Sequence, residues 1–433
     1  MKKITLLIIA TITISIAGNY EEALSAYRAK NYKQAITLYQ KAANSGNTYA
    51  QNNLGRMYED GLGTKQNYKK AVEYYERASK QGDVYAQDNL ASMYLYGKGV
   101  KIDYKKAITL YKKAAQKNYV KAIHNLGFMY QNGYGVKQDY KKAANYYKKA
   151  AMLDYPLSQY SLGYMYDKGL GVKQDYKKAF KLYLSAKNQG LNLATGNLAT
   201  LYENGQGVEK DLKKAHRYYK EAFNYFERKA KNGDMYAQND LALMYKYAKG
   251  VKQDYKKAVN LYRMSAKQNF PKAINNLGIM YQYGLGVKKD YKKAVEKFKK
   301  AARFGYPLAE YNLAIMYSDG LGVKQDYKKA FKLYQSAESK GVILAANNLA
   351  YLYENGKGIE KDTKKAVVYY KKSANSGDAY GQSSLGSAYY FGIGVKKDKH
   401  KAYEEWSKAA NSGNKDAIYN LKVLCEESPN ICK

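Results

Sequence analysis

The chain of 433 residues repeats one pattern ten times, almost always at intervals of 36 residues. Only one interval differs: the step from Leu193 to Tyr236 is 43 residues long. A tandem period of this length indicates small supersecondary units, each of which buries a core only by stacking on its neighbours. We therefore expect function on an extended surface rather than in one deep pocket. The copies begin at Tyr49, Tyr85, Lys121, Leu157, Leu193, Tyr236, Lys272, Leu308, Leu344 and Tyr380.

Each copy contains two segments in which small and apolar residues recur at helical spacing. Counted from the start of a copy, position six is always leucine, position seven is glycine or alanine, and position ten is always tyrosine. Leu54, Gly55 and Tyr58 show this in the first copy. In the second segment, apolar residues are spaced i, i+3, i+7 and i+10, beginning at Tyr104 in the second copy. The sequence therefore predicts two helices in each copy.

A Gly-x-Gly turn separates the two predicted helices, and an aspartate stands before the second one. The glycines, such as Gly133 and Gly135, suit left-handed backbone conformations. Only Ala248 replaces the first glycine, and we expect the turn there to differ locally. The aspartate, such as Asp139, is placed to accept hydrogen bonds from unpaired backbone amides at the helix N-terminus.

This pattern resembles the Sel1-like repeat, a relative of the tetratricopeptide repeat with a longer turn between its helices. The resemblance covers residues 49–415 through the motif A-x-x-x-L-G-x-M-Y-x-x-G-x-G-V-x-x-D-Y-x-K-A-x-x-Y-Y-x-K-A-A. It implies an all-α fold, a right-handed superhelical α/α solenoid of stacked helix-turn-helix repeats. Residues 18–48 are similar to a tetratricopeptide-like capping helix pair, and residues 416–433 to a C-terminal capping helix.

Residues 85–235 and 236–379 match each other repeat for repeat at an offset of 151 residues. That offset equals four steps of 36 plus seven, which indicates that a four-repeat block was duplicated. The seven extra residues lie near residues 221–228, in a predicted second helix. Because seven residues make about two helical turns, they lengthen the helix without rotating its buried face. We interpret them as a tolerated insertion rather than a binding feature.

The N-terminus has the pattern of a secretory signal peptide in residues 1–17. Lys2 and Lys3 precede an apolar run, residues 4–16, that is too short to span a membrane. Small residues permit cleavage after Ala17, and no cysteine follows to carry a lipid anchor. We therefore expect an exported bacterial protein, periplasmic or secreted, with no transmembrane segment in the mature chain.

Two cysteines, Cys425 and Cys432, lie close to the C-terminus. In an oxidising compartment we expect them to form one disulfide that holds the tail. A metal site is the alternative, but two thiols without a nearby histidine do not complete one. No cofactor is predicted.

The formal net charge is +37, which is compatible with binding to nucleic acid or to another anionic polymer. Most of this charge is lysine, whereas reading of bases and bidentate contact with phosphate favour arginine. The lysines recur as pairs on the outward side of the second helices, as in Lys105 and Lys106. We interpret them as a solvated convex face and expect no specific nucleic-acid binding. Weak, salt-sensitive attraction to an anionic cell-envelope polymer is the alternative.

No motif predicts catalysis. The three histidines lie in different repeats at different positions, and no metalloprotease, nucleophile-elbow or paired acid–base pattern is present. The family resemblance offers one enzymatic alternative, β-lactam binding or hydrolysis as described for cysteine-rich Sel1-like proteins. Because the repeats of this chain lack those cysteines, we predict a protein that is not an enzyme.

The predicted binding surface is the concave face, which the first helices line in solenoids of this kind. Positions four, eight and eleven are expected to face it, because positions two, six, nine and ten are needed for packing. Framework positions keep one residue type, whereas positions four and eight vary and often hold large side chains. The alternative, that neighbouring repeats cover position eight, stays open at this point. The predicted partner-binding residues are His124, Phe128, Tyr160, Tyr164, Leu243, Ile279, Tyr311, Ile315 and Tyr351.

The sequence thus predicts a scaffold or adaptor that holds a protein or an extended peptide. By resemblance, such proteins take part in envelope complexes, in the regulation of cell-wall enzymes or in host interaction. The sequence does not choose among these roles.

Overall fold

The computed structural model describes residues 18–432, and within that range the backbone forms α-helices joined by turns, with no β-strand. The predicted all-α class and the tandem helix hairpins are confirmed. The predicted signal peptide, residues 1–17, lies outside the described residues. None of the described helices combines the length and the low polarity that crossing a lipid bilayer requires.

The helices are numbered α1 to α23 in chain order, and two of them form each repeat. A short 3-10 turn, Pro429–Ile431, follows the last helix. The helices are α1 (residues 18–28), α2 (Tyr32–Asn44), α3 (Thr48–Asp60), α4 (Tyr68–Lys80), α5 (Val84–Tyr96), α6 (Tyr104–Gln116), α7 (Val120–Asn132), α8 (Tyr140–Ala151), α9 (Pro156–Lys168), α10 (Tyr176–Asn188), α11 (Ala194–Asn204), α12 (Leu212–Lys231), α13 (Met235–Tyr247), α14 (Tyr255–Lys267), α15 (Pro271–Tyr283), α16 (Tyr291–Arg303), α17 (Pro307–Asp319), α18 (Tyr327–Ser339), α19 (Leu344–Asn355), α20 (Thr363–Asn375), α21 (Ala379–Phe391), α22 (Lys399–Asn411) and α23 (Lys415–Glu427).

The chain divides into two compact units, Met1–Ala222 and Phe223–Lys433, and the boundary falls inside α12. In the first unit, a typical part of the core joins Tyr111 of α6 with Leu126 of α7. In the second unit, Tyr334 of α18 and Leu349 of α19 belong to one cluster of buried residues. Within each unit, the core therefore lies between the second helix of a repeat and the first helix of the next repeat.

The aspartate before the second helices caps them as predicted. Asp139 Oδ1 accepts a hydrogen bond of 2.8 Å from the backbone N–H of Lys142. Hydrogen bonds from the backbone amides of Lys142 and Lys141 hold the pKa of Asp139 below its usual value. The first repeat uses Asn67 in the same way, with a bond of 3.1 Å to the N–H of Lys70.

The turn at Ala248 does not differ from the others, so that expectation was wrong. Ala248 has φ 56° and ψ 35°, the left-handed conformation that Gly284 adopts in the next repeat. Its backbone N–H donates to the carbonyl of Met244, as the glycines do at the equivalent position. The fold therefore imposes a left-handed backbone conformation at this turn, even on a residue that has a side chain.

Two glycines of the repeat are required by close approaches. A Cβ atom at Gly127, position seven, would lie 2.7 Å from Cδ1 of the buried Tyr147. A Cβ atom at Gly99, the second turn glycine, would lie 2.5 Å from the carbonyl carbon of Tyr68 in the preceding repeat. Gly127 thus allows the two helices of one repeat to pack closely. Gly99 allows its repeat to contact the backbone of the preceding repeat directly.

The seven extra residues extend α12 to 20 residues, whereas its neighbours α10 and α14 have 13. The buried side chains still fall on one face, as the sequence predicts for an insertion of about two turns. This buried row consists of Ala215, Tyr219, Ala222, Phe226 and Ala230.

The C-terminal segment is tied to the last repeat. Cys425 and Cys432 form a disulfide with their Cα atoms 5.6 Å apart. Lys399 Nζ donates to Ser428 Oγ at 2.8 Å, beside the disulfide. Because Lys399 replaces the tyrosine that usually opens the second helix, the last repeat gains a polar anchor for the tail.

Candidate binding surface

Position four of the first helix lies at the junction between consecutive repeats rather than on an open face. In several repeats the asparagine at position five donates its side-chain N–H to the position-four side chain of the preceding repeat. We call this series the asparagine ladder. Its rungs are Asn89 to Asn52 (3.0 Å), Asn125 to Asp88 (2.8 Å), Asn276 to Asn239 (3.0 Å) and Asn312 to Asn275 (2.8 Å).

Larger side chains replace the ladder at other junctions, and His124 is one of them. Its Nδ1 lies 2.8 Å from Ser158 Oγ, and the rings of Tyr147 and Tyr155 contact it at centroid distances of 5.2 and 5.4 Å. Burial lowers the pKa of His124 to about 4, so the imidazole is neutral near pH 7. His124 therefore has a packing role, and partner binding through it stays a prediction.

Tyr160 and Tyr311, the other predicted residues at position four, are also half-buried. Tyr160 packs against Tyr183 with ring centroids 5.7 Å apart, and Tyr311 packs against Tyr334 at 5.8 Å. Each pair joins a first helix to the second helix of its own repeat. Packing therefore holds these rings in part, and partner binding through them stays a prediction.

Position eight is divided between packing and exposure. Phe128, Leu243, Ile279 and Ile315 are half-buried against the core clusters of their repeats. Tyr164 and Tyr351 are instead exposed, at 37% and 44%, respectively. Neighbouring side chains therefore cover four of the six predicted residues at this position in part and leave two tyrosines open.

In five repeats position eleven belongs to the framework, which corrects there the expectation that it faces a groove. The buried tyrosine of the second helix donates its hydroxyl to this position, as Tyr75 does to Glu59 at 2.9 Å and Tyr370 to Glu354 at 2.6 Å. Burial raises the pKa of both tyrosines, which keeps the hydroxyls protonated as donors. These bonds satisfy a polar group inside the helix pair.

Position twelve holds exposed aromatic residues that the sequence reasoning missed. Tyr283 and Phe391 there are 64% and 66% exposed, respectively. Positions eight and twelve are one helical turn apart, so their side chains share one face of the first helix. The sequence could have indicated these residues, because aromatic side chains recur at position twelve although this position does not keep one residue type. We call these exposed residues the aromatic strip of each unit: Tyr96 and Tyr164 in the first unit, and Tyr247, Tyr283, Tyr351 and Phe391 in the second.

The lysine pairs of the second helices are partly structural. In every one of the ten repeats, the second lysine lies over the ring of the position-ten tyrosine, with distances of 5.0–5.7 Å from Nζ to the centroid. In nine repeats the same lysine also pairs with the capping aspartate, for example Lys178 with Asp175 at 3.1 Å. Cation–π contact and ion pairing thus explain one lysine of each pair without a ligand.

Within residues 18–432, no group of three or more histidine, cysteine, aspartate or glutamate side chains is arranged to hold a metal ion.

Comparison with known proteins gives one family. The model of the Sel1 repeat matches eleven segments of the chain, the first of which lies in the helix pair before Tyr49. No curated protein matches the chain. The matched segments are residues 19–47, 48–83, 84–119, 120–155, 156–191, 193–224, 236–270, 271–306, 307–342, 343–378 and 379–414.

Three solved structures are similar to this chain in sequence. A protective antigen of uropathogenic Escherichia coli with an SLR fold is 30% identical, with 95% of this chain and 88% of that chain covered and a TM-score of 0.46. A Sel1 repeat protein from Oxalobacter formigenes is 32% identical over 57% of this chain and 96% of its own, with a TM-score of 0.48. An immunity protein from Pseudomonas aeruginosa is 25% identical over 51% and 81%, with a TM-score of 0.38.

Proposed function

Because this chain belongs to the Sel1 repeat family, we propose that it is a non-catalytic scaffold that holds a protein or an extended peptide along its first helices. Tandem Sel1 repeats are typical of protein–protein interaction scaffolds. The aromatic strip is the observation that carries the proposal. Its residues expose large rings, and tyrosine is enriched among the residues that dominate binding energies at interfaces.

The distribution of framework contacts supports this choice of surface. On the first helices, positions four and eleven are occupied by the asparagine ladder and by bonds to buried tyrosines, whereas positions eight and twelve keep exposed aromatic rings. On the second helices, one lysine of each pair is engaged with its own repeat. The strip is therefore a surface whose composition these framework contacts do not explain.

We propose that the scaffold acts outside the cytoplasm, in the periplasm or secreted, in an envelope complex, in the regulation of a cell-wall enzyme or in host interaction. Support comes from the signal-peptide pattern of residues 1–17 and from the bonded pair Cys425 and Cys432, because disulfides persist in oxidising compartments. Cell fractionation tests this part of the proposal. A full-length chain that stays uncleaved in the cytoplasm would contradict it.

Replacing Tyr247, Tyr283 and Phe391 together by serine tests the strip. These side chains are exposed, so the helical circular dichroism should stay as in the parent, whereas crosslinking in the native cell should lose its specific protein partner. The matched control replaces three exposed lysines of the second helices by serine, and capture should persist. Equal capture by the strip variant and the parent would refute the proposal. The control lysines are Lys256, Lys292 and Lys364.

The absence of catalysis is tested separately. Purified protein should not hydrolyse a chromogenic cephalosporin, since the chain lacks the repeat cysteines of the β-lactam-binding relatives that its sequence resembles. Turnover above that of a buffer blank would revive the enzymatic alternative.

A further inference from the structure

The asparagine ladder is interrupted between the repeats that begin at Leu344 and Tyr380. Asn347 stands at position four, where Asn239 and Asn275 accept hydrogen bonds from the next repeat. The position that should donate to Asn347 holds Ser384, which is shorter than asparagine. As a result, Asn347 Oδ1 is buried and has no hydrogen-bond partner in the part of the chain that the structure describes. An unpaired buried acceptor costs free energy, and a hydrogen bond from an external donor would remove that cost.

A cleft of about 470 Å³ opens at the interrupted rung. Asn347 and Ser384 line it, together with the rings of Tyr334, Tyr351 and Tyr370. The hydroxyls of the two buried rings are already engaged, because Tyr334 accepts from Asn348 at 2.8 Å and Tyr370 donates to Glu354 at 2.6 Å. Tyr334 and Tyr370 are almost fully buried, so Tyr351 is the ring of the three that an incoming group can contact, and Asn347 Oδ1 supplies an unused acceptor.

Asp319 also lines the cleft, and its carboxylate is exposed. Among residues 18–432, no lysine or arginine forms an ion pair with Asp319. Lys357 is the nearby cation at Tyr351, but it is engaged with two rings and with the Tyr351 hydroxyl at 2.6 Å. The cleft thus offers a carboxylate and an amide oxygen to an incoming donor.

We propose that this cleft receives the guanidinium group of an arginine side chain from the polypeptide held by the scaffold. One N–H group donates to Asn347 Oδ1, another donates to the Asp319 carboxylate, and the guanidinium plane packs on the exposed ring of Tyr351. Arginine fits better than lysine, because its fork of donors is planar, weakly hydrated and able to stack on aromatic faces. The inference rests on the proposed function, since Tyr351 belongs to both the aromatic strip and the cleft wall.

Short peptides test the cleft without the natural partner. Acetyl-Gly-Arg-Gly-amide is titrated into protein with 15N-labelled asparagine, beside matched peptides with citrulline or leucine. The arginine peptide should shift the Asn347 side-chain amide signal saturably, with an affinity about tenfold higher than that of citrulline, which keeps only part of the donors and lacks the charge. The leucine peptide should leave the signal in place. Equal shifts from all three peptides, or none from arginine, would overturn the proposal.

Ser384→Asn is the sharpest variant, because it restores the rung that Asn276 and Asn312 make elsewhere in the second unit. It should satisfy Asn347, raise the thermal midpoint and abolish arginine binding. Asp319→Asn should weaken binding about tenfold and keep the fold. The control, Asn276→Ser, breaks a distant rung, so it should lower stability and leave arginine binding as in the parent. Unchanged arginine binding by Ser384→Asn would refute the cleft.

The two proposals fail separately. If arginine does not bind but the strip variant still loses its partner, the scaffold function stands and the cleft assignment falls. If arginine binds and the strip variant captures its partner as the parent does, the cleft stands and the strip is not the docking surface.

Discussion

At the scale of single residues, the junctions between repeats are where this chain departs from its own consensus. At several junctions, the residue at position four accepts a hydrogen bond from an asparagine of the next repeat. In other repeats, position four is a histidine, His124, or a tyrosine, Tyr160 and Tyr311. His124 and Tyr160 occupy equivalent places in successive repeats, yet one contacts a serine hydroxyl and the other a buried ring. The residue at position four varies because different neighbours hold it in different repeats.

His124 should make the stability of the chain depend on pH between 6.5 and 4. Its folded-state pKa is lowered by burial from 6.5 to about 4, so the unfolded chain binds the proton more readily. Stability is therefore complete above pH 6.5 and decreases as the pH falls, by about 2 kcal/mol at pH 5. Urea unfolding at pH 7.5, 6 and 5 measures this loss.

The matched variant for that experiment is His124→Tyr, because tyrosine occupies the same position in Tyr160 and Tyr311. Other titrating groups, such as the buried Asp88 whose pKa burial raises, are present in both proteins and cancel in the difference. A parent and variant with parallel pH profiles would show that His124 is not the cause.

Ala248→Gly should stabilise the protein by about 1 kcal/mol, because glycine adopts the left-handed conformation of this turn without a steric cost. The native φ of 56° is already fixed by the fold, so the substitution changes no contact. The reverse change at the equivalent position, Gly284→Ala, should destabilise. Thermal midpoints of the two variants should thus move in opposite directions, and a shift in the same direction would contradict the argument.

At the scale of elements, the second turn glycine sets the spacing between repeats. Gly99→Ala should cost several kcal/mol, because its Cβ would lie 2.5 Å from backbone atoms that cannot rotate away. Gly190→Ala is the control: φ is also positive, at +87°, but no atom lies within 4 Å of the added carbon. It should lose only about 1 kcal/mol, the cost of the backbone conformation alone. Similar losses in the two variants, measured by urea unfolding, would show that the close approach is unimportant.

Local elements were predictable from the sequence because their causes are local. The capping aspartate, the glycine turn and the apolar spacing each act within a few residues, so α6 or α14 can be placed without a structure. The exposed faces were less predictable. Position eleven carries Glu59 or Glu354, which suit solvent equally well, and only the placement of Tyr75 and Tyr370 shows that they are bonded inward.

The candidate cleft could not be predicted for a similar reason. Ser384 is an ordinary helix residue by composition, and its importance arises from what it fails to donate to Asn347 across a junction. The residues Ile315 and Tyr351 were predicted to bind a partner, and both do line this cleft. Whether they contact a partner stays a prediction.

At the scale of the whole molecule, the charge of +37 is the dominant electrostatic feature. Repulsion among lysines should destabilise the folded chain, whereas the exposed Asp–Lys pairs contribute little. Raising NaCl from about 20 to 300 mM should therefore raise the thermal midpoint by a few degrees, through screening. Replacing exposed Lys105, Lys141 and Lys177 by glutamine should reduce this salt dependence. A midpoint that falls with salt would mean that the ion pairs outweigh the repulsion.

The backbone contact of the second turn glycine has a consequence for how such chains grow. Gly99 meets the carbonyl carbon of Tyr68, and Gly286 and Gly358 meet the same atom of Tyr255 and Tyr327. Since every residue type has the same backbone carbonyl group, this contact between repeats depends little on which copies of the repeat are adjacent. A duplicated segment of the gene can therefore be inserted without the evolution of a new interface. The number of repeats can change while substitutions in single helices alter specificity.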